Sequence, residues 1–144
     1  VLRVVLVTDV VVAGFLSPDG ASRQLLLDAL DVKFTLLAST TLLLEYESVL
    51  RRKEHQEKAQ TTDAGLTDIL DGLADVCRPV VFDFSWRPTG AHADYELVIS
   101  TAINGNADAL VTFNLRDMRL AGNRFGFEVE RPREFLSRLR RRET

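Results

Sequence analysis

Between Val4 and Val12 only Thr8 and Asp9 interrupt a run of aliphatic, mostly β-branched residues. Such a run reads as a buried strand near the centre of a parallel sheet, because a strand covered on both faces loses the alternation of a half-exposed one. Asp9 is the anomaly. A carboxylate there is costly unless a cation, a hydrogen-bond network or solvent at the strand's end compensates it. Strand alternation puts Val7 on the same face, about 6.5 Å away.

The rest of the chain supplies the partners such a strand requires. Ser17-Pro18-Asp19-Gly20 is a turn, and Ala21 to Leu30 a helix with Leu25, Leu26, Ala29 and Leu30 on one face. Phe34 to Ala38 reads as a strand, and Ser39 or Thr40 caps a helix running to about Lys53. The polar stretch from Glu54 to Thr62 reads as a loop or a frayed helix end, and Thr62 or Asp63 opens a helix to about Val76. A strand at Val80 to Phe82, a loop with Trp86, Pro88 and Gly90, and a helix from about Ala93 to Ile103 follow. Asn104-Gly105-Asn106 stops that helix. Ala109 to Thr112 and Phe127 to Val129 are further strands, and Pro132 begins a last helix ending in Arg140-Arg141-Arg142. The alternation predicts an α/β fold, a parallel sheet of about four to five strands with helices on both faces. In such sheets ligands gather beyond the carboxyl ends of the strands, at the topological switch point.

The 144 residues are most simply one domain over 1–144. A net charge of −3 means that any nucleic-acid contact must come from a local patch. Cys77 stands alone, which excludes an internal disulfide framework and suits a reducing cytoplasm. No stretch reaches the roughly 18 apolar residues of a membrane span. Asp9 also breaks the apolar centre that a signal peptide would need.

Carboxylates or amides fall near the strand ends or the helices after them at Asp9, Glu45, the Asp94 to Glu96 segment, and Asn114 with Asp117. There is no Gly-rich phosphate loop and no Ser-His-Asp order, and neither His55 nor His92 has metal-ligand company in the sequence. Oxygen ligands without His or Cys suit Mg²⁺ or Mn²⁺, the ions of metal-dependent phosphodiester hydrolysis.

The chain resembles the PIN domain family, in its toxin branch from toxin–antitoxin pairs. The matching stretches are Leu6-Val7-Thr8-Asp9-Val10-Val11-Val12 followed by Ser17-Pro18-Asp19-Gly20-Ala21-Ser22, and Glu45-Tyr46-Glu47-Ser48-Val49-Leu50-Arg51-Arg52. The third is Asn104-Gly105-Asn106-Ala107-Asp108-Ala109-Leu110-Val111-Thr112-Phe113-Asn114, and the last Arg131-Pro132-Arg133-Glu134-Phe135-Leu136. The resemblance implies a three-layer α/β/α sandwich that cuts single-stranded RNA with Mg²⁺ or Mn²⁺ held by acidic residues. It also implies a homodimer and a small antitoxin protein as partner.

Residue by residue the correspondence has gaps. The family's leading Asp falls on Val7, with Asp9 at the motif's third position. Helical geometry does not choose between Glu45 and Glu47; the family's Glu-Tyr pair selects Glu45. The family's paired Asp falls on Asp94-Tyr95, with Tyr95 at the middle of the inward face, and a further Asp falls on Asn114. The expected catalytic set is Asp9, Glu45 and Asp94, with Asp117 as a fourth metal ligand. The alternative is a catalytically silent PIN-fold module that binds RNA or a partner protein, motivated by Val7 and Tyr95.

Plainer roles stand beside these. Asp9 could cap the strand end through backbone N–H groups, and Asp94 could cap a helix. Asp68, Asp71 and Asp75 read as a solvated helix face. Trp86 is a base-stacking candidate whose plainer role is to cover the core edge. Arg131, Arg133, Arg138, Arg140, Arg141 and Arg142 could meet phosphates, or complement the last helix's dipole. A receiver-type phosphoacceptor would need a lysine after the last strand, and none follows Lys58.

Overall fold

A computed structural model describes residues 1–82 and 95–143. Its sheet contains β1 (Arg3–Leu6), β2 (Thr35–Ala38), β3 (Arg78–Pro79), β4 (Ala109–Val111) and β5 (Glu128–Glu130). The strands lie in the order β3-β2-β1-β4-β5 and every pairing is parallel. The order reverses beside β1: the chain winds out through β2 and β3, then returns to β4 and β5. Right-handed crossovers in the two directions place helices on opposite faces, as the α/β reading requires.

The helices are α1 (Thr8–Leu16), α2 (Ala21–Leu30), α3 (Thr40–Leu50), α4 (Lys53–Ala59), α5 (Asp63–Val76), α6 (Glu96–Asn104), α7 (Leu115–Phe125) and α8 (Pro132–Glu143). α2 packs on α1, α5 and α8, and α6 packs on β1 and β2 beside α3 and α7. The core runs through the sheet's centre, where Val4, Val5, Leu6, Leu37, Leu110 and Val111 are sealed from solvent.

The first apolar run does not stay extended. β1 ends at Leu6, and residues 8–16 are helical. Leu6 pairs with Val111 at the last register position of β4, and Val7 N donates to Val111 O at 3.0 Å. The ladder to β4 ends there, and the next inward-facing donor, the Phe113 N–H, is taken by the Asp9 side chain, so an extended segment would leave backbone N–H and C=O groups unpaired. A helix satisfies them internally and buries Val10, Val11, Gly14 and Phe15 along one side. Asp9 in its first turn meets the positive end of the helix dipole. Val7 and Asp9 therefore do not share a strand face. At Gly14 an added Cβ would come within 2.9 Å of Ser22 O and 2.6 Å of Leu26 Cδ1, so α1 and α2 approach this closely only because residue 14 has no side chain.

Several boundaries also move. The third strand is Arg78–Pro79 rather than Val80 to Phe82, at the sheet's edge where a proline's missing N–H costs no ladder bond. The Glu54 to Thr62 stretch contains α4, which ends at Gln60 with φ 54°. The third helix stops at Leu50, short of Lys53. A helix the sequence reading lacked, α7, follows β4 and ends at Gly126 with φ 83°. Leu30 is 37 % exposed, while Leu25, Leu26 and Ala29 are buried. Ser39 and Thr62 cap α3 and α5 with their side chains, accepting from Leu42 N and Gly65 N. No helix among the described residues is long and apolar enough to cross a membrane.

Candidate functional site

At the carboxyl ends of β1 and β4, beside the reversal in strand order, lies a cavity of about 270 Å³. Val7, Thr8, Asp9, Glu45, Val49, Tyr95, Val98 and Asn114 line it. Residues from four distant stretches of the chain meet there, at the position expected of an open parallel sheet.

Asp9 enters from the first turn of α1. Its Oδ2 accepts hydrogen bonds from Thr112 Oγ1 at 2.9 Å and from Phe113 N at 3.0 Å. The carboxylate thus fastens α1 to the turn after β4. Its other oxygen, Oδ1, is buried and accepts no hydrogen bond from the described residues. Burial pushes the Asp9 carboxyl above its usual range, against the smaller downward pulls of the Phe113 N–H, the Thr112 hydroxyl and the N–H groups of Val10 and Asp9 itself. One oxygen of Asp9 thus serves the capping role, and the other is left without a donor among the described residues.

Glu45 enters from α3, on the flank of a buried stripe containing Leu42, Tyr46 and Leu50. It accepts a hydrogen bond from Thr8 Oγ1, which links it to the residue beside Asp9. Glu47, its rival by helical geometry, turns instead to Arg51 at 3.3 Å. The fold therefore puts Glu45, and not Glu47, on the cavity wall. Next to it, the Tyr46 hydroxyl donates to Leu6 O at the end of β1. Burial, with the nearby Glu45 charge second, keeps that phenol protonated.

Tyr95 and Asn114 complete the lining with neutral groups. Asn114 Nδ2 donates to the Tyr95 hydroxyl and, at 2.8 Å, to Asp117 Oδ2. With Nδ2 engaged in this way, the carbonyl oxygen is left as the amide's acceptor atom. Asp117 is exposed in the first turn of α7 and is not among the lining residues. Asp94, the third expected carboxylate, lies outside the described residues, as do Trp86 and His92. His55 makes a local contact, Nδ1 to Val49 O at 2.8 Å. Asp68, Asp71 and Asp75 are exposed, as a solvated face requires.

Two carboxylates and one amide oxygen around this cavity are a sparse set for a hard divalent ion. No group of three or more His, Cys, Asp or Glu side chains arranged to hold a metal occurs among the described residues. The set nevertheless fits an ion such as Mg²⁺, which keeps most of its waters and takes one or two carboxylates plus substrate phosphate oxygens. The orphaned Asp9 Oδ1 is the atom that a cation would satisfy.

Sequence reasoning missed the parts of the site that α1 and the turn after β4 create. Thr8, Thr112 and the Phe113 N–H orient the two carboxylates, and no local pattern marks them. A family model described as PIN domain matches residues 3–116. No curated protein matches the chain.

Proposed function

The chain belongs to the PIN domain family, and on that footing we propose that it is a divalent-metal-dependent endoribonuclease for single-stranded RNA with a reduced acidic centre. One observation carries this reading: Asp9 Oδ1, buried and without a hydrogen-bond partner among the described residues, belongs to a carboxylate that shares a cavity with Glu45. A buried carboxylate oxygen left without a donor is destabilising, and a bound cation removes that cost.

In this reading Asp9 and Glu45 hold Mg²⁺ or Mn²⁺, with Asn114 adding a neutral oxygen and Asp94 a further carboxylate from the segment before α6. A bound ion would supply positive charge to the phosphoryl oxygens and lower the pKa of its water. Thr8 holds the Glu45 carboxylate in place, and Thr112 with the Phe113 N–H holds that of Asp9. Asp117 acts through Asn114, fixing its amide so that the oxygen remains available. The ordered family stretches support a toxin of a toxin–antitoxin pair. A small antitoxin protein and a second copy of the chain are the partners this implies.

The silent-module reading draws on a different observation. The hydrogen-bonded Tyr95–Asn114 pair and the apolar Val7 occupy positions where the family carries acids. Calorimetric titration of Mn²⁺ into the wild type and Glu45→Ala, alongside cleavage of unstructured RNA, separates the two. Saturable Mn²⁺ binding and cleavage, both lost in Glu45→Ala, is the expected result. Neither heat nor cleavage with either ion would remove the enzyme and leave a binding module.

A further inference from the structure

On the other side of the turn that holds Asp9 lies a second cavity, of about 440 Å³, with Phe113, Arg131 and Arg133 in its wall. We infer that it is the subsite for the nucleotide flanking the scissile phosphate of single-stranded RNA, with Phe113 stacking on the base and the two arginines taking the adjoining phosphate. The inference rests on the RNA reading above and extends it to a named binding surface.

Continuity with the acidic cavity is the first support. Phe113 is next to Asn114 in sequence and its N–H holds Asp9, while Ala13, which lines the new cavity, follows Asp9 by one turn of α1. A strand crossing the acidic site must pass over this turn or away from it. Phe113 is 49 % exposed, although residues 109–112 immediately before it are buried. An aromatic ring held half in water on a rigid turn is a ready platform for a base, since every base has a stacking face.

Charge is the second support. A chain of net charge −3 needs a local cationic patch to meet a polyanion. Of the arginines in the last segment, Arg138 is engaged with Glu130 at 3.0 Å and Arg140 with Asp28 at 2.8 Å. Among the described residues the Arg131 guanidinium has a long, exposed contact to Glu134 at 3.8 Å, and Arg133 makes no ion pair. The two least engaged of these four guanidinium groups are thus the ones beside Phe113. Guanidinium groups suit phosphate oxygens because their donors form a planar fork.

The test is binding without cleavage. A short unstructured RNA carrying fluorescein and an internal 2-aminopurine is titrated with protein by anisotropy, in Ca²⁺ and again in EDTA. Phe113→Ala should weaken binding about 10-fold and abolish the 2-aminopurine quenching, whereas Phe113→Trp should retain both. The substitution leaves the backbone donor to Asp9 in place. Arg131→Ala/Arg133→Ala should reduce the slope of log affinity against log salt by about 0.7 per lost phosphate contact. Wild-type affinity and salt slope in all variants would overturn the inference, as would failure of the wild type to bind RNA in either buffer. Phe113-dependent binding without any Mn²⁺-dependent cleavage would support the subsite while refuting the hydrolase. Cleavage by Phe113→Ala at wild-type affinity would do the reverse.

Discussion

Asp28 on α2 and Arg140 on α8 form an ion pair at 2.8 Å whose acidic partner is 1 % exposed. Gln24 Nε2 donates to the other Asp28 oxygen at 2.9 Å. The guanidinium reaches Oδ2 by distance without hydrogen-bond alignment, so the contact is chiefly electrostatic. The pair fastens the last helix to the helical layer formed by α1 and α2, and it turns part of the basic tail into a structural element.

Arg140→Ala should therefore destabilise the fold by about 1–3 kcal/mol, below the range for a fully buried pair because the Arg140 side chain is 36 % exposed. Urea unfolding of Arg140→Ala, Asp28→Asn and the double variant measures the coupling. Losses that simply add would mean that the two residues do not sense each other.

The Tyr46 hydroxyl is the partner of Leu6 O, which sits where β1 leaves the sheet. Tyr46→Phe should cost about 1–2 kcal/mol, since a buried carbonyl loses its donor while the ring packing is kept. Equilibrium denaturation checks this, and an unchanged midpoint would show that another group or water satisfies the carbonyl.

Asp9 predicts a pH dependence of stability in metal-free buffer. Burial raises its folded-state pKa above the unfolded value near 3.8, so the native state binds the proton more tightly. Its contribution to stability is thus fully present below that unfolded value and is lost as pH rises through the raised one. Asp9→Asn keeps the acceptor for Thr112 and Phe113 but cannot ionise. The variant should gain on the wild type between pH 4 and neutrality, measured by chemical denaturation in EDTA. A stability difference that stays flat across that range would contradict the assigned burial.

Restoring acids at the neutral positions should strengthen the metal site. Val7→Asp with Tyr95→Asp is expected to raise Mn²⁺ affinity at least about 10-fold, as two anionic ligands join Asp9 and Glu45. Val7 is only 7 % exposed, so the pair should also lower stability in EDTA and recover it when Mn²⁺ is added. Calorimetry and thermal melts with and without the ion read both effects. No gain in affinity would mean that the cavity's shape, and not its missing charge, limits binding.

Much of the fold was legible because it follows from patterns only a few residues long. The helix over residues 21–30 and the cap at Ser39 were readable in this way. So was the helix opening at Asp63, and the parallel arrangement follows from their alternation with the apolar strands. The family's Glu-Tyr pair pointed to Glu45, which lines the cavity, whereas Tyr95 reaches that cavity from the cap position before α6 and not from the middle of a helical face. The helix from Thr8 was not legible, since a short β-branched run is locally compatible with strand or buried helix. The role of Phe113 was also hidden: nothing in Thr112-Phe113-Asn114 reveals a contact to a residue over a hundred positions earlier.

Local sequence alone determined that this chain would build a parallel sheet with helices on both sides, and that its acids would fall near the strand ends. Hydrophobic periodicity and capping chemistry act over one or two turns and need no knowledge of the whole. Only the tertiary structure decided where β1 stops, which oxygen of Asp9 is spent on the turn after β4, and which arginines of the last segment are held in close ion pairs. Those outcomes depend on which backbone and which charge arrive from elsewhere in the chain, and the long-range packing that brings them together leaves no local trace.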